Sequence, residues 1–453
     1  MPGVPLGVSC APPLPVSEVT TPSLDVLVIG AGLAGLACAH RLERSGLRVR
    51  VVEAGAHPGG VVTSDREGGY LIESGPNTVV PTAASMAIVE EAGLDGEMVT
   101  APSGSPRFIL LKGRLRRAPW VLSPYGYARA LAEPFVRRRP VAGDESLESF
   151  FVRRFGRQVH DRLAAPFVTG IYAGNTSRLG VEGVFPRIAE LESRYGSVLA
   201  GLLRRKKAGP RYGLRSFREG MGTLPRALAG ALDVRYGVPA HRVRPVPGGW
   251  SVDVDSGPVT ARGLVVAVPA STAARLLAGT ADDLASISYA PIVVVHMAVS
   301  DTAFSRPLHG FGFLVPRGEN RRVLGTLFSS CLFPGRSPRG HQLLTTFMGG
   351  ALDPEIIDWS EERILETAGN ELELILKLAR GTARPVRVTR YPGAIPQYRV
   401  GHPEWRRRVE LEAGTHAGLF LTGNYFSGVS VPATMEHGAR TALAAAEFLR
   451  RTG

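Results

Sequence analysis

Asp25 to Ala54 reads DVLVIGAGLAGLACAHRLERSGLRVRVVEA, and this stretch decides the fold. The apolar run Val26 to Ile29 predicts a buried parallel strand, after which Gly30, Gly32 and Gly35 open a helix. The three glycines do different things. Gly30 permits a tight turn, Gly32 lets a pyrophosphate approach the backbone, and Gly35 lets helix pack on strand. The helix start then offers backbone N–H groups and a positive dipole end to phosphate charge. A second strand, Val49 to Val52, ends at Glu53, close to the ~20-residue spacing at which an acid meets ribose hydroxyls. Glycine triplets arise by chance in a chain with 54 glycines, but here strand, turn, helix, strand and acid come in order.

Glu53 repels a ribose phosphate, which leaves NAD and FAD. The next residues, Ala54 to Val62, read AGAHPGGVV, and Gly59-Gly60 resembles the second glycine turn of glutathione-reductase-like flavoproteins. Tyr70 to Pro76 reads as a strand entering a turn, similar to the segment these proteins lay beside the flavin. At the far end, Leu419 to Leu449 (LFLTGNYFSGVSVPATMEHGARTALAAAEFL) reads as the other half of the same FAD cradle. The expected fold class is α/β.

The 453 residues suffice for two or three domains with a substantial core. Lys and Arg number 53 against 40 Asp and Glu, a net +13, and the excess is uneven. Arg114, Arg116, Arg117, Arg137, Arg138, Arg139, Arg153, Arg154, Arg157, Arg204, Arg205, Lys206 and Lys207 all fall between 103 and 215. Such a region suits an anionic surface, either membrane lipid or an acidic small molecule. Nucleic acid is not an expected partner, because none of its binding motifs is present. Cys10, Cys38 and Cys331 have neither metal nor CxxC spacing, which points to a reducing compartment and no metal site. No apolar run reaches the ~20 residues that span a bilayer, so the expected location is cytoplasmic with peripheral membrane contact. Residues 1–22, proline-rich and without a charged start, are expected to be a flexible tail rather than a signal or transit peptide.

Between the two halves, residues 81–93 read as a helix closed by Gly93, and Phe108 to Leu115 as a hairpin turning at Lys112-Gly113. Tyr125 to Arg215 is mainly helical, with Asp144 expected to cap a helix carrying Leu147, Phe150, Phe151 and Phe155 on one stripe. That stripe reads as core, with insertion into lipid headgroups as the alternative. Strand character returns at Val234 to Val254 around Pro247-Gly248-Gly249, and Leu264 to Val268 before Pro269 reads as a buried strand. Pro291 to Ser300, Gly312 to Val315, Arg322 to Ser329 and Gln342 to Met348 read as antiparallel strands of another sheet, followed by a helix Ser360 to Leu378.

Several longer strings then carry a family resemblance: Glu73-Ser74-Gly75-Pro76-Asn77, Gly170-Ile171-Tyr172-Ala173-Gly174, Gly220-Met221-Gly222-Thr223-Leu224, Tyr289-Ala290-Pro291, Gly310 to Pro316 (GFGFLVP), Gly325 to Ser330 (GTLFSS) and Ile395-Pro396-Gln397-Tyr398. From about 25 to 450 the chain resembles the protoporphyrinogen oxidases, oxygen-dependent FAD enzymes within the amine oxidase and phytoene desaturase group. The glycine fingerprint is widely shared; the GFGxLVP, GTLFSS and IPQY strings in this order are specific. The resemblance implies FAD contacts at Gly30, Gly32, Gly35, Glu53, Ala54, Gly60, Val61, Gly75, Pro76 and Asn77, an adenine contact at Val243, and Tyr391 beside the flavin. It places Gly423, Gly428, Val429 and Ser430 along the isoalloxazine edge, with the helix from Pro432 beneath the pyrimidine end, where reduction leaves negative charge. Two departures stand out: Val61 replaces a frequent arginine, and Val431 to Thr434 replaces a VNDC-like string found in several members.

For the substrate, the resemblance implies a flat apolar porphyrinogen with two propionates, held by Arg107 as carboxylate anchor and walled by Leu314, Leu327 and Phe347. It implies hydride transfer from a meso carbon to FAD, reoxidation by O2 to hydrogen peroxide, and three such cycles. No motif residue is an obvious base, and the loop at Gly170 is the candidate for catalytic positioning. Expected partners are the porphyrinogen, O2 and a membrane surface, with a chelatase receiving the product and a second copy of the chain as further candidates. The implied organisation is a glutathione-reductase-like FAD-binding Rossmann domain (23–102, 216–288, 415–453), a mixed or antiparallel-sheet substrate domain (289–414) and a helical, basic, membrane-associating domain (103–215). Competing readings are a coproporphyrinogen III oxidase, whose four-propionate substrate suits the charge, and a non-catalytic FAD-fold assembly protein. An amine oxidase fits less well, since no cysteine lies near the end to hold a covalent flavin and Lys112, Lys206, Lys207 and Lys377 lie off the expected strands.

Overall fold

The computed structural model describes residues 24–118, 120–137, 143–204 and 212–452. The expected tail, Cys10, Arg138, Arg139, Arg205, Lys206 and Lys207 lie outside these residues. In the first sheet, Leu24–Ile29 is central, parallel to Val49–Val52 on one side and to the end of Gly257–Val266 on the other. Leu419–Leu421 adds a further parallel pairing, Leu264 to Leu419. The strand character expected around Pro247-Gly248-Gly249 resolves into Ala240–Val246 and Gly249–Val254, which extend this sheet antiparallel.

The helices Leu33–Glu43 and Val431–Thr452 share one core on the face of this sheet. Gly438 permits their closeness, because a Cβ there would lie 2.1 Å from the Ala34 carbonyl oxygen. The two ends of the chain are thus packed backbone to backbone.

The second sheet runs Arg384–Pro396, Tyr289–Ser300, His341–Gly349, Val323–Phe328, Gly312–Leu314, Arg107–Leu111, Arg114–Arg117. Val293, Val295, Met297 and Val299 face the helix Glu361–Leu376 through Ile364, Ala368 and Leu372, giving this sheet its own core. Ser360 caps that helix by accepting the Arg363 N–H, and Lys377 in the left-handed region ends it. Two features of this sheet lie beyond local pattern. Arg384–Pro396 is a strand although Pro385, Pro392, Gly393 and Pro396 interrupt its pattern; an edge position tolerates them. The hairpin Arg107–Arg117, assigned from sequence to the helical region, instead extends this sheet, pairing parallel with Gly312–Leu314. A local pattern identifies a hairpin but not the edge it joins.

The helical region packs Leu147, Phe150, Val168, Tyr172, Leu179 and Val184 together, with Phe151 and Phe155 against them. The aromatic stripe is therefore chiefly core, with Leu147 and Phe150 buried and Phe151 and Phe155 partly exposed. Ser146, not Asp144, caps the helix Leu147–Phe155; Asp144 instead accepts the N–H groups of Glu182 and Gly401. Two of the arginines counted toward an anionic surface are internal as well. Arg154 is fully buried and pairs with Glu133 and Glu192, and Arg153 pairs with Glu145 and Glu192. Glu133 and Glu192 come from other segments of the chain, so charge counting along the sequence could not see them.

Candidate active site

The fingerprint closes as its glycines require. Gly30 has φ +104°, and a Cβ at Gly35 would lie 2.1 Å from the Gly30 carbonyl oxygen. Gly32 is different: a Cβ there would meet nothing within 4 Å. It is the N-cap of Leu33–Glu43 in extended conformation without a side-chain cap, so the helix start is bare toward open space. Glu53 ends the second strand with its carboxylate accepting the Ala31 and Gly55 N–H groups, both at 2.7 Å. Ala54 is exposed beside it. The Val238 N–H donates to the Glu53 carbonyl, and half-buried Val243 follows in the next strand.

The second glycine turn folds onto the first: Gly59 donates to the Ala31 carbonyl at 2.8 Å, and a Cβ at Gly60 would sit 3.7 Å from the Gly32 Cα. A Cβ at Gly75 would lie 2.1 Å from the Val61 carbonyl oxygen, so Gly75 and Pro76 continue the same wall. Asn77 is oriented by donating to the Gly75 carbonyl and accepting from Ser329. Beneath this segment, Glu73 accepts from Ser64 at 2.5 Å and from the Met221 N–H, with Arg336 at 3.4 Å. Burial pushes its carboxyl up to about 7, against the pull of Arg336. Sequence reading found Glu73 in a motif but not this anchor, because Arg336 lies far along the chain and arrives only through folding.

From the C-terminal half, Gly428 (φ +130°) and Val429 lead to Ser430, whose Oγ accepts the Ala433 N–H at the start of Val431–Thr452. A Cβ at Gly423 would lie 2.5 Å from the Tyr425 ring. An open strip at Gly32, a bare helix start, an anchored acid and a second helix start fit a dinucleotide bearing a long ring system.

The second sheet supplies a facing wall, and its register decides which side chains share it. One row across the strands is Arg107, Gly312, Leu327, Thr345, His296 and Arg387. The next is Ile109, Leu314, Gly325, Phe347, Val294 and Thr389, and Ile292 pairs with Tyr391 beyond it. Because side chains alternate along each strand, Arg107, Leu314, Leu327, Phe347 and Tyr391 all lie on one face, opposite the one packed on Glu361–Leu376. Leu314, Leu327 and Phe347 are only partly buried. Ser329, directly after Val323–Phe328, donates to the Asn77 side chain at 3.4 Å, which brings this sheet against the 73–77 segment. Arg107 is exposed, stacks 4.8 Å over the Phe311 ring and makes no ion pair among the described residues. His296 is fully buried and held neutral, its pKa drawn down to about 4 by burial and then by Arg387.

Gly170 lies in the helix Ala165–Tyr172, not in a loop, which corrects that part of the expectation. The helix crosses the wall at Leu314, where a Cβ on Gly170 would come within 2.7 Å of a Leu314 methyl. It ends at Ala173, buried in the left-handed region at φ 46° and packed with Ile292, Phe347 and Tyr391. These segments are legible in the sequence as motifs; their meeting at one sheet face is not.

A nucleotide cradle facing an apolar sheet wall defines a flavin-dependent oxidoreductase. The chain belongs to the flavin containing amine oxidoreductase family, whose model matches residues 33–447. It is 32% identical to protoporphyrinogen oxidase 1, chloroplastic, of Spinacia oleracea, covering 94% of this chain and 84% of that protein. It is 25% identical to coproporphyrinogen III oxidase of Bacillus subtilis (strain 168), covering 91% and 96%. A crystal structure from Exiguobacterium sp. 255-15, described provisionally as a protoporphyrinogen oxidase, superposes with a TM-score of 0.79 at 23% identity over 93% of this chain and 98% of that one, a likeness of fold. The cofactor is FAD, and the architecture is the mixed α/β fold of the FAD-dependent amine oxidases.

Proposed function

We propose that the protein oxidises protoporphyrinogen IX to protoporphyrin IX with O2 as acceptor, in tetrapyrrole synthesis. The observation that carries this reading is the sheet face on which three half-buried apolar side chains, Leu314, Leu327 and Phe347, lie in register with one exposed cation, Arg107. A flat apolar macrocycle with an acidic edge matches that face, and the Spinacia relative supports the choice. Held in the cradle, FAD would supply the acceptor for hydride from a meso carbon and the route by which the electrons reach O2. The chain's own residues bind and orient. Gly30, Gly32, Gly35, Glu53, Ala54, Gly60, Val61, Gly75, Pro76, Asn77, Val243, Tyr391, Gly423, Gly428, Val429 and Ser430 are assigned to the cofactor. Arg107 fixes a propionate, the apolar wall excludes water, and Gly170 lets its helix lie close enough to press the ring toward the flavin. The start of Val431–Thr452 offers N–H groups where reduction builds negative charge.

The proposed domains are those expected from sequence, with the hairpin Arg107–Arg117 moved to the substrate domain. Among the described residues no helix is long and apolar enough to cross a membrane. A peripheral contact is proposed instead through Trp120, Tyr125, Leu131 and Phe135, each at least 72% exposed, flanked by exposed Arg114, Arg116, Arg117 and Arg137. Co-sedimentation with anionic but not neutral vesicles is expected. For the activity, oxygen uptake is measured on the yellow protein with protoporphyrinogen and with coproporphyrinogen. Uptake with neither refutes the oxidase reading, and preference for the four-propionate substrate moves it to coproporphyrinogen III oxidation, which the Bacillus relative performs by name.

A further inference from the structure

The edge strand Arg384–Pro396 runs into Gln397 and Tyr398, both buried, and these two neighbours grip opposite parts of the site. The Gln397 amide donates to the Tyr172 carbonyl at 2.8 Å and to the Ile395 carbonyl at 3.0 Å. Its oxygen lies against Gly174, where a Cβ would come within 2.6 Å. Gln397 therefore holds the end of the helix Ala165–Tyr172 and the turn after it, the segment that roofs the apolar wall. The strained turn is also held from the other side, where Ala351 donates to the Ala173 carbonyl at 2.7 Å.

Tyr398 faces the other way. Its hydroxyl donates to the Asn424 carbonyl and accepts the Gly428 N–H at 2.8 Å, closing the loop that precedes the proposed flavin edge at Gly428 to Ser430. Its ring stacks on His402 at 3.9 Å, and His402 in turn bonds the Tyr425 carbonyl at 2.8 Å. The same ring meets Tyr172 edge-on at 5.7 Å, so the roof and the loop touch through one buried phenol. Neither side chain belongs to the open face, so neither is a catalytic residue.

We infer that Gln397 and Tyr398 are a pair of positioning residues that couple the substrate roof to the flavin-edge loop, so that seating one ligand favours seating the other. The inference rests on the proposed placement of flavin and porphyrinogen. Its physical basis is reciprocity: if porphyrin bound under the roof tightens the clasp, it must raise FAD affinity by the same factor that FAD raises porphyrin affinity.

The test titrates FAD into apoprotein with and without saturating protoporphyrin IX, and separately measures KM for the porphyrinogen. Wild-type protein is expected to bind FAD several-fold more tightly with porphyrin present. Tyr398→Phe keeps the ring packing but strands the Gly428 N–H and the Asn424 carbonyl. It is expected to weaken FAD about tenfold, equal to about 1.4 kcal/mol, and to abolish the porphyrin effect. Gln397→Leu is expected to raise KM about tenfold with FAD affinity alone within about twofold, and also to abolish the porphyrin effect. Wild-type FAD affinity, KM and porphyrin effect in a variant with only a lowered Tm would overturn the inference. So would absence of the porphyrin effect in the wild type. Should Tyr398→Phe not accumulate, Gln397→Leu carries the test alone. Failure of turnover in wild type would strike the proposed activity while leaving the FAD titrations readable.

Discussion

Replacing Gly32 by valine separates cofactor binding from folding better than any other change in the fingerprint. The residue has φ −68° and ψ 169°, extended backbone that valine adopts without strain, and a Cβ there meets no protein atom within 4 Å. The folded apoprotein should keep its stability within about 0.5 kcal/mol, as expected for a site without protein contacts. The new methyls instead project into the space over the bare helix start, where the pyrophosphate must come close. If two hydrogen bonds to charged phosphate oxygens are lost, at about 1.5–3 kcal/mol each, FAD affinity falls by roughly 10²- to 10⁴-fold. The assay is the flavin-to-protein absorbance ratio of purified protein, with FAD titration of the apoprotein and urea unfolding alongside. Gly35→Val is the contrasting control, because its Cβ would lie 2.1 Å from the Gly30 carbonyl oxygen and it should lower stability itself. Stoichiometric FAD in Gly32→Val, or a loss of stability equal to that of Gly35→Val, would refute the placement of the pyrophosphate.

Arg107→Ala should raise KM for the porphyrinogen by roughly 10- to 100-fold, the worth of one charged hydrogen-bonded contact, with FAD content unchanged; loss of flavin would mark Arg107 as structural instead. Gly438→Ala, whose Cβ would lie 2.1 Å from the Ala34 carbonyl oxygen, should cost about 1–3 kcal/mol by urea unfolding as the terminal helices are forced apart, and an unchanged midpoint would contradict their close packing. His296, His402 and His437 are each drawn down to about 4, chiefly by burial. Unfolded histidines take up protons near pH 6.5, so these three contribute fully above that pH and lose up to about 1.4 kcal/mol each per unit as pH falls toward 4. Glu73, raised to about 7, works in the opposite sense, as do Asp144 and Glu182, both raised by burial, while His40, lowered by burial, adds to the three. Urea midpoints should therefore fall between pH 6.5 and 4.5, and a flat or rising profile would count against this arrangement.

What the sequence determined by itself was local and repetitive: the strand, glycine turn, helix and acid from Val26 to Glu53, the paired segment from Leu419 onward, and apolar strands such as Tyr289–Ser300. These are short-range consequences of backbone geometry and side-chain period, so they are legible in one dimension. The family strings added which residues to watch, but not how they meet. Only the tertiary structure decided that the hairpin at Arg107 joins the second sheet, because an edge pairing is chosen by whichever unsatisfied strand is nearest in space. Only it decided that Arg153 and Arg154 form internal ion pairs while Arg107 stands exposed on the sheet face, since a charge's partner can lie anywhere along the chain. Register, too, is a property of neighbouring strands rather than of any one, and register is what puts Arg107, Leu314, Leu327, Phe347 and Tyr391 on a single face. The chemistry of this protein was thus written in its residues, and its site was assembled by long-range pairing that no local pattern encodes.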